Sequence, residues 1–209
     1  MAIIATPVGL AFSRFRIGHR RYDYEEISDV QGDISGRIGG SPRWVLSVAS
    51  PNRMVEAQAK LWRAMIMKLR GRINHLAAYD IVRPAPLGTM RGTLTLSSAA
   101  AQGDTTIIVT GGAGQAGTTL VQGDWLQIGA AGLGSQYVMV QDDATANGSG
   151  IITLNIEHPL RVGYASGQPV TWDKPLCYYK ALSETNEWDY DAGSLTISGF
   201  EGDFVEQWT

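Results

Sequence analysis

The stretch GDWLQIGAAGLGSQYVMVQDDATANGSGIITLNIEHPLRVGYASGQPVTW, Gly123 to Trp172, decides the fold class. It consists of short alternating runs separated by Gly, Asn, Asp and Pro, residues that supply tight turns, and it holds no catalytic constellation. From about Thr93 onward the composition shifts to few charges and many Gly and Ala. Strands are expected at 105–110, 120–128, 136–141, 151–157 and 168–172. Short strands with tight turns over this length predict a small β-barrel or sandwich spanning 93–172. A unit of that size has a marginal core, so it is expected to lean on the rest of the chain or on a neighbour.

Working outward, residues 1–50 carry strand-like pieces around Arg14 to Ile27 and Trp44 to Ala49, joined by a flexible GDISGRIGGSP. Trp44, Leu46 and Val48 alternate with Val45, Ser47 and Ala49, which predicts a strand covered on one side. A helix is expected next, with Ser50 as cap, Pro51 at the first position, Lys68 and Arg70 near the carboxyl end and Gly71 closing it in the left-handed conformation. Met54, Ala57, Leu61, Ala64, Met65, Lys68 and Leu69 recur at helical spacing and predict the packed stripe. Met54, Met65 and Met67 are expected to serve packing rather than an adaptable binding surface.

After the helix, INHLAAYDI is strand-like and gives way to a Pro-rich connector ending near Arg91 and Gly92, where a boundary is expected. Strand character resumes in CYYKAL, NEWDYD and SLTISGFEGDFVEQW, with Leu195, Ile197 and Phe200 among polar groups. The predicted architecture is mainly β. A discontinuous host domain, 1–92 plus 173–209, carries one flanking α-helix, and 93–172 is an inserted β domain.

Composition narrows the function. Seventeen Lys and Arg against twenty Asp and Glu give a formal charge of −3, so no basic surplus argues for a nucleic-acid partner. The local cluster Arg14, Arg16, His19, Arg20 and Arg21 is expected to be a solvated strand or loop face. Cys177 lies in the apolar run LCYYKAL and is expected to be a small buried hydrophobe, consistent with folding in a reducing cytoplasm. MAIIATPVGLAF is apolar too briefly for a signal peptide or a membrane span.

Several motifs suggest chemistry and lack its context. GGAGQAG satisfies GxGxxG through Gly112, Gly114 and Gly117, but TTLVQGDWLQIG supplies turns and another strand where a dinucleotide site needs a helix N-terminus. No cofactor is therefore expected. His19, His75 and His158 lack a second ligand at metal spacing, and Asp189, Asp191 and Gly193 lack the remaining ligands of a calcium loop, so no metal is expected. No GxSxG elbow exists, and the adjacent pairs Glu25–Glu26 and Asp142–Asp143 point to opposite sides of an extended strand. An enzyme is not expected. Trp125, Tyr137 and Trp172 offer an alternative function, a sugar-stacking platform in a carbohydrate-binding adsorption module, against the plainer expectation of core aromatics.

RWVLSVASP before a helix ending in KLRGR, a connector with MRG, then GDWLQIG, YVMVQDD, GIITLNIEHPLR, PVTW and NEWDYDAGSLTISGFEGDF follow one another in a recognisable order. That order resembles the distal tail protein family of siphophages across most of the chain. The resemblance implies a tail-tube-like β-sandwich host domain and a structural role at the virion tail tip, in a protein made in the host cytoplasm. It implies a homo-hexameric ring joining the tail tube protein to the tail-tip or baseplate hub protein, with tail fibres nearby and DNA passing only as cargo through the lumen. Trp44, Leu69, Gly71, Arg72, Gly92 and Trp188 fall at matching positions as fold determinants. The sequence departs from the pattern around SDVQGDISGRIGG, and the resemblance implies that this loop, with Asp33, Ile34, Arg37 and Ile38, is a ring or stacking contact.

Overall fold

The computed structural model describes residues 1–27, 34–184, 187–191 and 196–208. The chain runs β1 (Ile3–Ala5), β2 (Arg14–Ile27), β3 (Ile34–Ala49), helix α1 (Glu56–Leu69), β4 (His75–Ala78), β5 (Leu94–Leu96) and β6 (Thr106–Thr110). A short 3-10 turn (Ala113–Gln115) leads to β7 (Thr119–Leu120), β8 (Trp125–Ile128), β9 (Gln136–Val140), β10 (Ala144–Thr145), β11 (Ile151–Glu157) and β12 (Pro169–Thr171). β13 (Cys177–Ala181), β14 (Asp189–Asp191), β15 (Thr196–Ser198) and β16 (Glu201–Glu206) follow. The protein is thus mainly β with a single α-helix among the described residues.

Two compact units share the chain. A barrel unit comprises Met1–Thr6, His75–Tyr178 and Gln207–Thr209, and a sheet unit comprises Pro7–Asn74 and Tyr179–Glu206. These bounds differ from the expected 1–92 plus 173–209 against 93–172. The physical reason is that the Pro-rich connector is stitched to the barrel. Leu87 N and Gly88 N donate to the Asp124 carboxylate, Met90 N donates to Thr119 O, and Arg91 N donates to Gln115 Oε1.

In the barrel unit, the strands close in the order β11-β6-β5-β12-β8-β9, with β9 returning to β11. The β domain is therefore a barrel rather than a sandwich. Alternate residues fill it: Ile152, Leu154 and Ile156 of β11 pack with Leu94, Leu96, Ile107, Val109, Leu126, Ile128, Val138 and Val140. The expected strand 120–128 divides into β7 and β8 at a turn in which Asp124 N donates to Val121 O and Gly123 adopts φ 86°. β5 was not anticipated, and it supplies the wall between β6 and β12.

In the sheet unit, an antiparallel sheet runs β13-β16-β3-β2. Trp44, Leu46 and Val48 are buried, as their alternation predicts. α1 covers that side through Trp62, which is 1% exposed and stacked on Phe200 with ring centroids 5.8 Å apart. Phe200 also stacks with Trp188 at 5.5 Å.

The helix begins later than its cap signals suggest, at Glu56 with Val55 as N-cap. Residues 50–54 stay outside the helix, because Ser50 N donates to Phe200 O and Met54 exchanges backbone hydrogen bonds with Ile197. Those long-range bonds outcompete the Ser-Pro start. The buried stripe is Ala59, Trp62, Met65, Ile66 and Leu69, so Met65 and Leu69 match the expected face whereas Ala57, Ala64 and Lys68 are exposed. At the carboxyl end Arg70, φ 50°, takes the left-handed position ahead of Gly71, and Asn74 donates to Lys68 O and Leu69 O.

Candidate functional site

The β2–β3 hairpin is the most extended feature of the sheet unit. β16 pairs with β3 only over Val45 to Ala49, whereas β2 pairs with β3 along its whole length, from Arg14↔Ala49 to Ile27↔Ile34. Residues 22–27 and 34–40 therefore form a ribbon with no third strand among the described residues. Register shifts around Tyr22 mark where the ribbon leaves the sheet.

The proposed contact residues fall at the ribbon's far end. Asp33 lies outside the described residues. Ile34 pairs with Ile27, Arg37 with Tyr24 and Ile38 with Asp23, so these positions are strand rather than flexible loop. Cross-strand hydrogen bonding to β2 overrides the Gly-rich composition that suggested a loop.

Nearer the sheet, directly opposed residues share a face. Phe15 with Val48, Ile17 with Leu46 and His19 with Trp44 lie on the helix-covered side, and Arg14 with Ala49, Arg16 with Ser47, Gly18 with Val45 and Arg20 with Arg43 lie on the outer side. β16 extends the outer rows with Glu201 beside Ala49 and Asp203 beside Ser47. The arginine cluster is consequently divided: His19 meets Trp44 edge-on at 6.3 Å, while Arg14, Arg16 and Arg20 form an outward column. Arg14 reaches Glu201 at 3.6 Å, an exposed pair of little energetic weight.

On the helix side, the β14–β15 hairpin pairs Asp189 with Ser198 and Tyr190 with Ile197. The turn containing Gly193 and Leu195 lies outside the described residues. Arg63 of α1 donates to the Tyr190 hydroxyl at 3.1 Å and also pairs with Glu56. The Tyr190 hydrogen bond chiefly raises the Arg63 pKa above its ordinary value, with burial opposing it and the Glu56 charge assisting.

The alternative aromatic platform is split by packing. Trp125 and Tyr137 stack on each other at 4.6 Å and 10°, and Tyr137 is 1% exposed, which leaves its ring no face for a sugar. Trp125 Nε1 donates to Asp80. Trp172 is separate: its Nε1 donates to Gly92 O at 2.7 Å and the Arg91 guanidinium lies 5.0 Å from its ring. Trp172→Ala is expected to lower the unfolding free energy by about 1–2 kcal/mol through loss of this hydrogen bond and cation–π contact. Urea unfolding checks it, and an unchanged midpoint would show that the indole is not structural.

Other motifs resolve as architecture. Ala113–Gln115 of GGAGQAG forms a 3-10 turn followed by β7, with no helix to receive a pyrophosphate. Gly150, φ 72°, lies so close to Gly112 O that an added Cβ would stand 1.8 Å away. His75 and His158 are buried, Cys177 is buried, and among the described residues no group of three His, Cys, Asp or Glu side chains converges as a metal site. No helix is long and apolar enough to cross a membrane among the described residues.

Of the residues expected to be fold determinants, Trp44 and Leu69 are buried, Gly71 and Gly92 have positive φ, Arg72 pairs with Glu184, and Trp188 stacks on Phe200. The alternate spacing of Arg14, Arg16 and Arg20 in RFRIGHR carries the signal for their sorting onto one face, beyond the solvated cluster expected from composition. Nothing local to GDW announces the role of Asp124 as acceptor for the connector. No family model matches the chain, and no curated protein matches it.

Proposed function

We propose that the protein is a structural subunit of a long-tailed bacteriophage virion, a distal tail protein whose copies close into a ring of about six. The ring joins the tail tube protein to the tail-tip hub protein, with tail fibres as neighbours, DNA only as cargo in the lumen, and no catalysis. The observation that carries the reading is the β2–β3 hairpin. Its strands of 14 and 16 residues outrun β16, leaving a two-stranded ribbon and the β2 edge without a further strand among the described residues. An isolated ribbon is marginally stable and an open edge invites pairing, and a closed assembly remedies both. The order of family-like motifs along the chain supports the same role.

Light scattering of the purified chain, with negative-stain images of any large species, tests it. A closed ring of about six copies is the expected result. A strict monomer at all concentrations would remove autonomous ring formation.

A further inference from the structure

The ring reading leaves open which surfaces meet. In the sheet unit, Arg16 and Arg20 lie on the outer face of β2 beside Ser47 and Arg43. Both arginines are exposed, and neither has a carboxylate partner among the described residues, in contrast to Arg14, which reaches Glu201. The outer face between the charges is flat, with Gly18, Val45 and Val205 in one row across three strands. Such a face admits close approach of a second surface.

A complementary surface lies at the base of the β14–β15 hairpin of the same unit. Glu187, Asp189, Gly199 and Glu201 line an open groove at the base of the β14–β15 hairpin. Glu187 and Asp189 flank Trp188, whose stacking on Phe200 fixes the hairpin on the side where α1 packs. Both carboxylates are exposed and have no cationic partner among the described residues. One copy thus presents two arginines without a carboxylate partner on β2 and two carboxylates without a cationic partner at the hairpin rim, all among the described residues.

We propose that the outer face of β2 and β3, through Arg16 and Arg20, docks on the Glu187–Asp189 rim of a second copy of this chain. The inference rests on the ring reading and specifies its contact. Two different patches on one subunit make a heterologous interface, which propagates from copy to copy and forms a ring where its rotation closes. Charge complementarity sets the register of that contact and excludes the face-to-face alternative, in which arginine would meet arginine.

The test uses two full-length charge-reversed chains, R16E/R20E and E187K/D189K, followed by light scattering over a range of concentration and NaCl. Each variant alone is expected to need at least about tenfold more protein than the unmodified chain to assemble, with circular dichroism and melting temperature unchanged. An equimolar mixture is expected to assemble again, because each reversed surface finds its complement on the other chain. Rising salt is expected to weaken assembly of the unmodified chain.

If the unmodified chain and both variants form the same ring equally well, the contact is overturned while the ring stands. If R16E/R20E assembles normally and loses only retention on heparin, the arginines serve a polyanion and the contact is likewise overturned. A monomeric unmodified chain overturns the ring and this contact together.

Discussion

Trp62→Ala is expected to lower the unfolding free energy by about 3–5 kcal/mol, the range for deleting a large buried aromatic. Trp62 is 1% exposed and lies at the centre of the sheet unit's aromatic packing. Its ring stacks on Phe200 at 5.8 Å and meets Phe12 edge-on at 5.4 Å, while Nε1 donates to Ala11 O at 3.0 Å. Truncation removes both ring contacts, opens a cavity between α1 and the sheet, and leaves the Ala11 carbonyl without its indole donor. Against a total stability of roughly 5–15 kcal/mol, that loss is enough to unfold a marginal domain at physiological temperature. Trp62→Phe keeps much of the apolar volume and gives up the hydrogen bond, so a smaller cost of about 1–2 kcal/mol is expected. Urea unfolding of both variants checks the order. Equal, small effects would show that the helix is not anchored by this ring.

The second large effect is expected at Asp124. Its carboxylate, in a residue 2% exposed, accepts hydrogen bonds from Leu87 N at 2.7 Å, Gly88 N at 3.1 Å and Val121 N at 2.8 Å. It thereby ties the connector to the turn before β8. The fit is close, since a Cβ added at Gly88 would stand 2.3 Å from Thr119 O. Asp124→Ala leaves three backbone donors without their acceptor, for an expected loss of about 3–4 kcal/mol. Asp124→Asn keeps the shape and one carbonyl oxygen but turns an amide donor toward backbone N–H groups, and about 2 kcal/mol is expected. Amide hydrogen exchange is the discriminating measurement: Leu87, Gly88 and Val121 should lose protection before the barrel interior does. Uniform loss across the barrel would indicate general unfolding instead of release of the connector.

The barrel was the most legible part of the chain. β11 coincides with the expected 151–157, and β6, β9 and β12 lie within one or two residues of their expected spans. β5 escaped because Leu94–Leu96 is three residues long, too short to show a period. The helix was legible at its end and misread at its start. Ser50 and Pro51 carry a proper local start signal, yet the backbone of Ser50 is committed to Phe200 and that of Met54 to Ile197, far along the chain. The stripe was misphased for a related reason: Trp62 anchors the packing, and the buried face turns to follow it.

The candidate site was legible as positions rather than as a surface. The departure around Asp33 to Ile38 falls in the β2–β3 hairpin, whose glycines suggest a loop where Ile34–Ala49 is strand. The aromatics of the alternative function were visible too, although nothing local distinguishes the buried Tyr137 from the separately packed Trp172.

What the sequence by itself determined is the class of structure: turn chemistry and period-two patterning make this chain mainly β, with one helix between sheet segments. Those signals act between near neighbours, so composition and spacing carry them. Only the tertiary structure decided that the connector belongs with the barrel, that Asp124 holds it there, and that alternate arginines of β2 face away from α1. Each depends on which backbone donors and acceptors pair across long separations in the chain, because every buried N–H and C=O must find a partner and the nearest in sequence is often already taken.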